Sequence, residues 1–218
     1  MSDRFDPRLY LVTDRALAGG RPLEEIVAAA VRGGVTAVQL REKLISDDDL
    51  LHLALRLKPL LVRAGVALII NDRPGVAAAA GAAGVHLGPA DVSAAEARRV
   101  LGPAAVVGLS VGSLAQAEAA RGLEIDYLAV SPVFATPTKT DAGRPWGLAG
   151  LRKLRSRSAR LLVAIGGIGP ANAADVLTAG ADGLAVVSAI CAAADPEAAA
   201  RALRDIVDRH SETREAPR

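Results

Sequence analysis

Along the chain, short apolar runs rich in β-branched residues alternate with longer runs in which Ala and Leu recur at helical spacing. The short runs are RLYLVT (8–13), VTAVQL (35–40), VALIIN (66–71), GVHL (84–87), AVVGLS (105–110), DYLAV (126–130), LLVAIG (161–166) and DGLAVV (182–187). Most are apolar along their whole length, the pattern of parallel strands covered on both faces. The intervening runs carry helix start signals. Pro22 precedes LEEIVAAAV, Ser46 with Asp49 resembles a capping box, Ser93 and Ser113 precede AAEARRVL and LAQAEAA, and Pro170 opens ANAADVLTAG. Gly33, Gly65, Gly81 and Gly180 stand where helices should stop. Eight βα units of roughly 20–30 residues predict a single-domain α/β chain, a (β/α)8 TIM barrel. An open doubly wound sheet competes, but it carries a Gly-rich fingerprint after its first strand, and here the first strand runs into TDRALAGG. The barrel is expected over residues 1–208, with the polar stretch RHSETREAPR (209–218) as a disordered tail.

Composition narrows the chemistry. Hydrophobic residues make up 51% of the 218 and aromatics only 2%, so the core is expected to be aliphatic. The formal charge is 26 − 24 = +2, too balanced for a surface that binds nucleic acid through a basic face. The lone Cys191 excludes an internal disulfide and a cysteine-rich metal site, and reads as a small buried residue. No apolar run reaches membrane-spanning length and the first residues, MSDRFDPR, have no signal-peptide core, so a cytoplasmic protein is expected.

In such a barrel the functional face lies at the C-terminal ends of the strands. The unusual polar residues fall there: Gln39, Arg41, Glu42 and Lys43 after the second run, Asn71, Asp72 and Arg73 after the third, His86 and then Asp91 after the fourth. Ser110 ends the fifth, and the sixth leads into a long polar loop, FATPTKTDAG (134–143), with Thr136, Thr138 and Lys139. Gly166 and Gly167 end the seventh, Val187 and Ser188 the eighth. Taken singly, Asp72 and Asp91 read as helix caps. Taken together, two carboxylates from neighbouring strand ends suit Mg2+, which accepts one or two carboxylates and completes its shell with water and substrate phosphate. Three scattered histidines and one cysteine do not suit zinc. His86, inside GVHLG, reads as a packed, hydrogen-bonded residue. Arg41, Lys43 and Lys139 suit phosphate, Arg as a planar fork and Lys as a point charge. AIGGIGP (164–170) and VVSAI (186–190) add two backbone anion cradles at the loops where barrels bind phosphate. The set implies a polyanionic substrate with a metal ion.

VQLREK, the Asn-Asp pair of INDR, GVHLG with Asp91, the TPTKTD loop, and AIGGI with VVSAI, in this order, resemble the thiamine phosphate synthase family over nearly the whole chain, from 9 to 196. The resemblance implies coupling of 4-amino-2-methyl-5-(diphosphooxymethyl)pyrimidine to a thiazole phosphate, with release of pyrophosphate ahead of capture of a pyrimidine carbocation. It implies that Gln39, Arg41, Lys43, Asn71, Ser110 and Lys139 contact the pyrimidine diphosphate, with Lys139, Ser110, Arg41 and Lys43 closest to the chemistry. It implies Mg2+ on Asp72 and Asp91, and the thiazole phosphate on Thr136, Thr138, Gly167, Val187 and Ser188. It also implies small-molecule partners and a homodimer. The segment GPA before Asp91, Val111-Gly112 after Ser110, and Ser131-Pro132 depart from the usual family pattern, and none of them replaces a residue given a role here. A thiazole tautomerase on the same barrel would lack the loop lysine and weaken the metal carboxylates. A silent binder of thiamine precursors would differ in turnover rather than in sequence. A sugar phosphate isomerase or an indole-forming barrel would need an acid/base pair that this chain does not display.

Overall fold

The computed structural model describes residues 5–138 and 143–215. The eight apolar runs form eight parallel strands: β1 (Leu9–Val12), β2 (Ala37–Leu40), β3 (Ala67–Asn71), β4 (Gly84–Leu87), β5 (Val106–Val111), β6 (Tyr127–Val130), β7 (Leu161–Ile165) and β8 (Gly183–Val186). Each pairs in parallel with its sequence neighbours, and β1 pairs with β8, so the sheet closes. The helices between them are α1 (Leu23–Arg32), α2 (Asp47–Arg63), α3 (Pro74–Ala80), α4 (Ala94–Leu101), α5 (Leu114–Ala119), α6 (Gly147–Arg155) and α7 (Ala173–Thr178), followed by the short α8 (Ser188–Cys191) and the long α9 (Pro196–Glu215). A 3-10 turn, Arg15–Ala18, follows β1. The expected TIM barrel is the fold.

The local signals act as expected. Ser46, Ser93 and Ser113 each accept a hydrogen bond from the backbone N–H three residues on, capping α2, α4 and α5. Pro22 stands at the start of α1, and Gly81 ends α3 in the left-handed conformation, φ 56°. Two boundaries differ. Helix α7 begins at Ala173 rather than at Pro170, because the Asn172 side chain ties down the preceding turn: its Oδ1 accepts from Gly169 N at 3.0 Å and its Nδ2 donates to Gly167 O at 2.9 Å. Helix α9 runs through Glu215, so residues 209–215 of the expected tail are helical; the final three lie outside the described residues.

Two cores result from the alternation of side chains across each strand. The outer one lies between sheet and helices and is aliphatic, with Leu9, Leu11, Val38, Leu40 and Ile70 against Ile26, Leu53, Leu57 and Leu203. The inner one departs from the aliphatic expectation. It is built around Phe5, Tyr10 and Tyr127, made possible by small neighbours such as Ala37, Ala67, Ala129 and Ala185. Phe5 stacks on Tyr127 with ring centroids 5.0 Å apart and meets Tyr10 edge-on at 5.6 Å. Gly108 is required here, because a Cβ at that position would run into the Tyr127 ring. Three of the few aromatic residues thus plug the barrel below its functional mouth.

Candidate functional site

Above the aromatic plug, at the C-terminal ends of the strands, lies a cavity of about 280 Å3. Every described residue given a contact role lines it: Gln39, Arg41, Lys43, Asn71, Asp72, Asp91, Ser110, Thr136, Thr138, Gly167, Val187 and Ser188; Glu42 and Arg73, also at strand ends, do not. Lys139 lies outside the described residues. One wall is polar and comes from the ends of β2 to β5. The facing wall is apolar, with Val12, Ala129, Val163, Ile165 and Ala185.

A chain of hydrogen bonds forms the floor. Gln39 Nε2 donates to the Tyr10 hydroxyl at 3.1 Å, and that hydroxyl meets the Tyr127 hydroxyl at 3.2 Å. Tyr127 meets His86 Nδ1 at 2.9 Å, and His86 Nε2 meets Ser110 Oγ at 2.8 Å. Burial pushes both tyrosines above their ordinary pKa, so their hydroxyls stay protonated at neutral pH. His86 is the packed, hydrogen-bonded residue expected, and its contact orients Ser110. Sequence reasoning missed Tyr10 and Tyr127, which sit on short apolar strands and look like ordinary core. Their signal was only that they are the chain's two tyrosines, each facing inward.

The carboxylates do not cap helices. Arg73 holds the N-cap position of α3 and Ser93 that of α4. Asp72 instead sits in a tight turn at φ 62°, the sole non-glycine residue with positive φ among the described residues. Its N–H donates to His86 O at 2.8 Å, and Arg73 N reaches back to Asn71 O at 2.8 Å. Asp91 accepts from Gly88 N through Oδ2 at 2.7 Å, so the departure to Gly-Pro-Ala leaves a closed turn that presents this carboxyl. Burial first, then the neighbouring Asp91 carboxyl, raises the Asp72 pKa to about 6, against the pull of Lys43. Lys43 Nζ lies 3.9 Å from Asp72 Oδ2.

The cationic side is braced from below. Thr13 Oγ1 accepts from Arg41 N at 3.0 Å and donates to Glu42 Oε1 at 3.2 Å. Glu42 is buried, which raises its pKa, and Arg15 lies 3.5 Å away. The Arg41 guanidinium is 3.9 Å from Asp14. On the other side of the mouth, the segment after β6 lies against the glycine turn after β7. Val133 N and Phe134 N donate to Ile165 O and Gly166 O at 2.8 and 3.0 Å. A Cβ on Gly167, whose φ is 64°, would come within 2.8 Å of Phe134 Cβ. The same segment is closed at its far end by Trp146 N to Pro132 O and Gly147 N to Val133 O, both 2.9 Å.

A site with two facing carboxylates, two cations, a glycine turn and an apolar wall agrees with what related chains are named for. The thiamine monophosphate synthase family matches residues 9–190. The thiamine-phosphate synthase of Albidiferax ferrireducens is 58% identical over 201 residues, 92% of each chain. That of Chloroflexus aurantiacus is 52% identical over 202 residues, 93% of each. A solved thiamine phosphate pyrophosphorylase from Pyrococcus furiosus superposes with a TM-score of 0.87 at 39% identity, covering 95% of this chain and 98% of that one. The chain belongs to the thiamine monophosphate synthase family, transferases that make thiamine phosphate.

Proposed function

We propose that the barrel couples 4-amino-2-methyl-5-(diphosphooxymethyl)pyrimidine to a thiazole phosphate (carboxylated or not), giving thiamine phosphate and pyrophosphate. The observation that carries this assignment of roles is the pairing of Asp72 with Asp91 beside Lys43 and Arg41 in one cavity with an apolar wall. That acid pair fits Mg2+. Two facing carboxylates, one of them raised in pKa by burial first and by the other second, gain from a shared cation, and hard oxygen donors suit this ion. Among the described residues no group of three or more His, Cys, Asp or Glu is placed to hold a metal ion; on two carboxylates, Mg2+ would take the rest of its shell from water and substrate. When bound, Mg2+ neutralises charge on the diphosphate.

The side chains do the rest. Arg41, Lys43 and Lys139 meet the diphosphate and stabilise the charge that grows as the C–O bond breaks and its electron pair leaves with pyrophosphate. Gln39 and Ser110, fixed by the floor network, and Asn71, whose side chain hydrogen-bonds Asp72, hold the pyrimidine. Thr136, Thr138, Gly167, Val187 and Ser188 hold the thiazole phosphate. The cradle is a glycine turn and the start of the four-residue helix α8. Holding the two rings in line against the apolar wall lets the thiazole nitrogen capture the cation with no general base. We place this enzyme in the cytoplasm, acting on small molecules as a homodimer without nucleic acid or membrane. Among the described residues no helix is long and apolar enough to cross a membrane.

The test is turnover of the two substrates with Mg2+, read as thiamine phosphate oxidised to fluorescent thiochrome. Product is expected, abolished by EDTA and reduced on the order of 100-fold in Lys139→Ala. Folded protein that binds thiazole phosphate but yields no product would point instead to a tautomerase or a silent binder.

A further inference from the structure

The β2–α2 loop carries Arg41 and Lys43, and its tip is exposed: the Leu44 side chain fully and Lys43 about half, with the partly buried Ile45 packing on the outer core after them. Beyond the Thr13 brace and Ile45, its backbone carbonyls are held by Arg73. One arm of that guanidinium, Nη1, donates to Ile45 O at 2.9 Å and to the Asp47 carboxylate at 3.0 Å. The other, Nη2, reaches Lys43 O at 3.4 Å and Glu42 O at 3.5 Å. A single planar fork thus spans the loop from its second residue to the first turn of α2, which no lysine could do.

The local backbone explains why Arg73 is available for this. The tight turn from Asn71 to Arg73, closed at 2.8 Å with Asp72 at φ 62°, sends consecutive side chains to different places. Asp72 enters the cavity and Arg73 enters the loop. One strained turn therefore fixes the acidic side of the site and the cationic side together.

We propose that Arg73 is a positioning residue for the diphosphate subsite, acting through Lys43 and Arg41 without touching substrate. This inference rests on the roles proposed above. Its test is Arg73→Gln, measured by steady-state kinetics and by calorimetric binding of Mg2+ with pyrophosphate, and separately of thiazole phosphate. The expected result is a loss of kcat/KM for the pyrimidine diphosphate of about 10- to 100-fold, the scale of a misplacement near 1 Å. Pyrophosphate affinity falls in parallel and thiazole phosphate affinity stays within about twofold. In a Lys43→Ala background the same change costs less than about threefold, because coupled residues are non-additive. Should the Gln variant not fold, Arg73→Lys, which keeps a charge for Asp47 but loses the span, carries the test with the same split. Equal losses for both substrates, additivity with Lys43→Ala, or no loss at all would overturn the inference while leaving the reaction intact. Absence of turnover and of pyrophosphate binding in the unaltered protein would overturn the reaction and this inference with it.

Discussion

Asp72 carries two separate costs, one in its backbone and one in its carboxylate. Its backbone is left-handed, and its side chain is half-buried facing Asp91. Its pKa rises from 3.8 to about 6, so the fold favours the protonated form. The stability cost is therefore absent below about pH 4, grows as pH rises towards 6, and is full at neutral pH. Asn carries no charge and tolerates left-handed backbone better than most residues. We expect metal-free Asp72→Asn to be more stable than the unaltered protein at pH 7.5, by up to about 2 kcal/mol, and no more stable at pH 4. Turnover should be lost at both. Thermal unfolding at the two pH values decides it, and a variant destabilised at pH 7.5 would show that the pair is not strained. A proton and Mg2+ also compete for this group, so affinity for the ion should fall below about pH 6, as calorimetry would show.

At the scale of elements, what the sequence makes legible is what local chemistry controls. Apolar runs became strands nearly end for end, and Ser46, Ser93 and Ser113 became caps, because each needs only neighbouring backbone. The strand-end rule then brought twelve of the thirteen residues given a contact role to one cavity, with Lys139 outside the described residues. The start of α7 was hidden because Asn172 competes with Pro170 through side-chain bonds that spacing does not reveal. The aromatic plug was hidden because facing strands, far apart in sequence, decide that Tyr10 and Tyr127 meet. Arg73 was visible only as a charge at a strand end. The glycine turn after β7 shows both levels at once. A glycine pair permits positive φ locally, but Gly167 is needed because the β6–α6 segment packs on it. Gly167→Ala should lose about 1–3 kcal/mol from the left-handed alanine and the crowded Phe134 contact. It should weaken thiazole phosphate binding while pyrophosphate binding with Mg2+ persists. Retained affinity for both would remove Gly167 from the cradle.

For the molecule as a whole, the last helix decides where the fold ends. Helix α9 packs on α1, α7 and α8, and so covers the seam where β8 meets β1. Its Ala200, Leu203 and Val207 are buried, Glu197 pairs with Arg32 at 2.7 Å, and Arg204 donates to Gly34 O at 3.2 Å. Uncovering those side chains and the α1 face beneath them costs about 5 kcal/mol or more, comparable to the whole stability of a typical domain. Removing residues 196–218 should therefore abolish soluble, folded protein. Residues 209–213 are exposed or only partly buried, so the fold as proposed from the sequence, ending at 208, should survive their loss although α9 continues past them. A chain ending at Asp208 should lose no more than about 1 kcal/mol, a fall of about 2–4 °C in Tm, and keep its turnover. A much larger fall would mean that the final turns of α9 belong to the barrel's structural core and that the domain extends to at least residue 215.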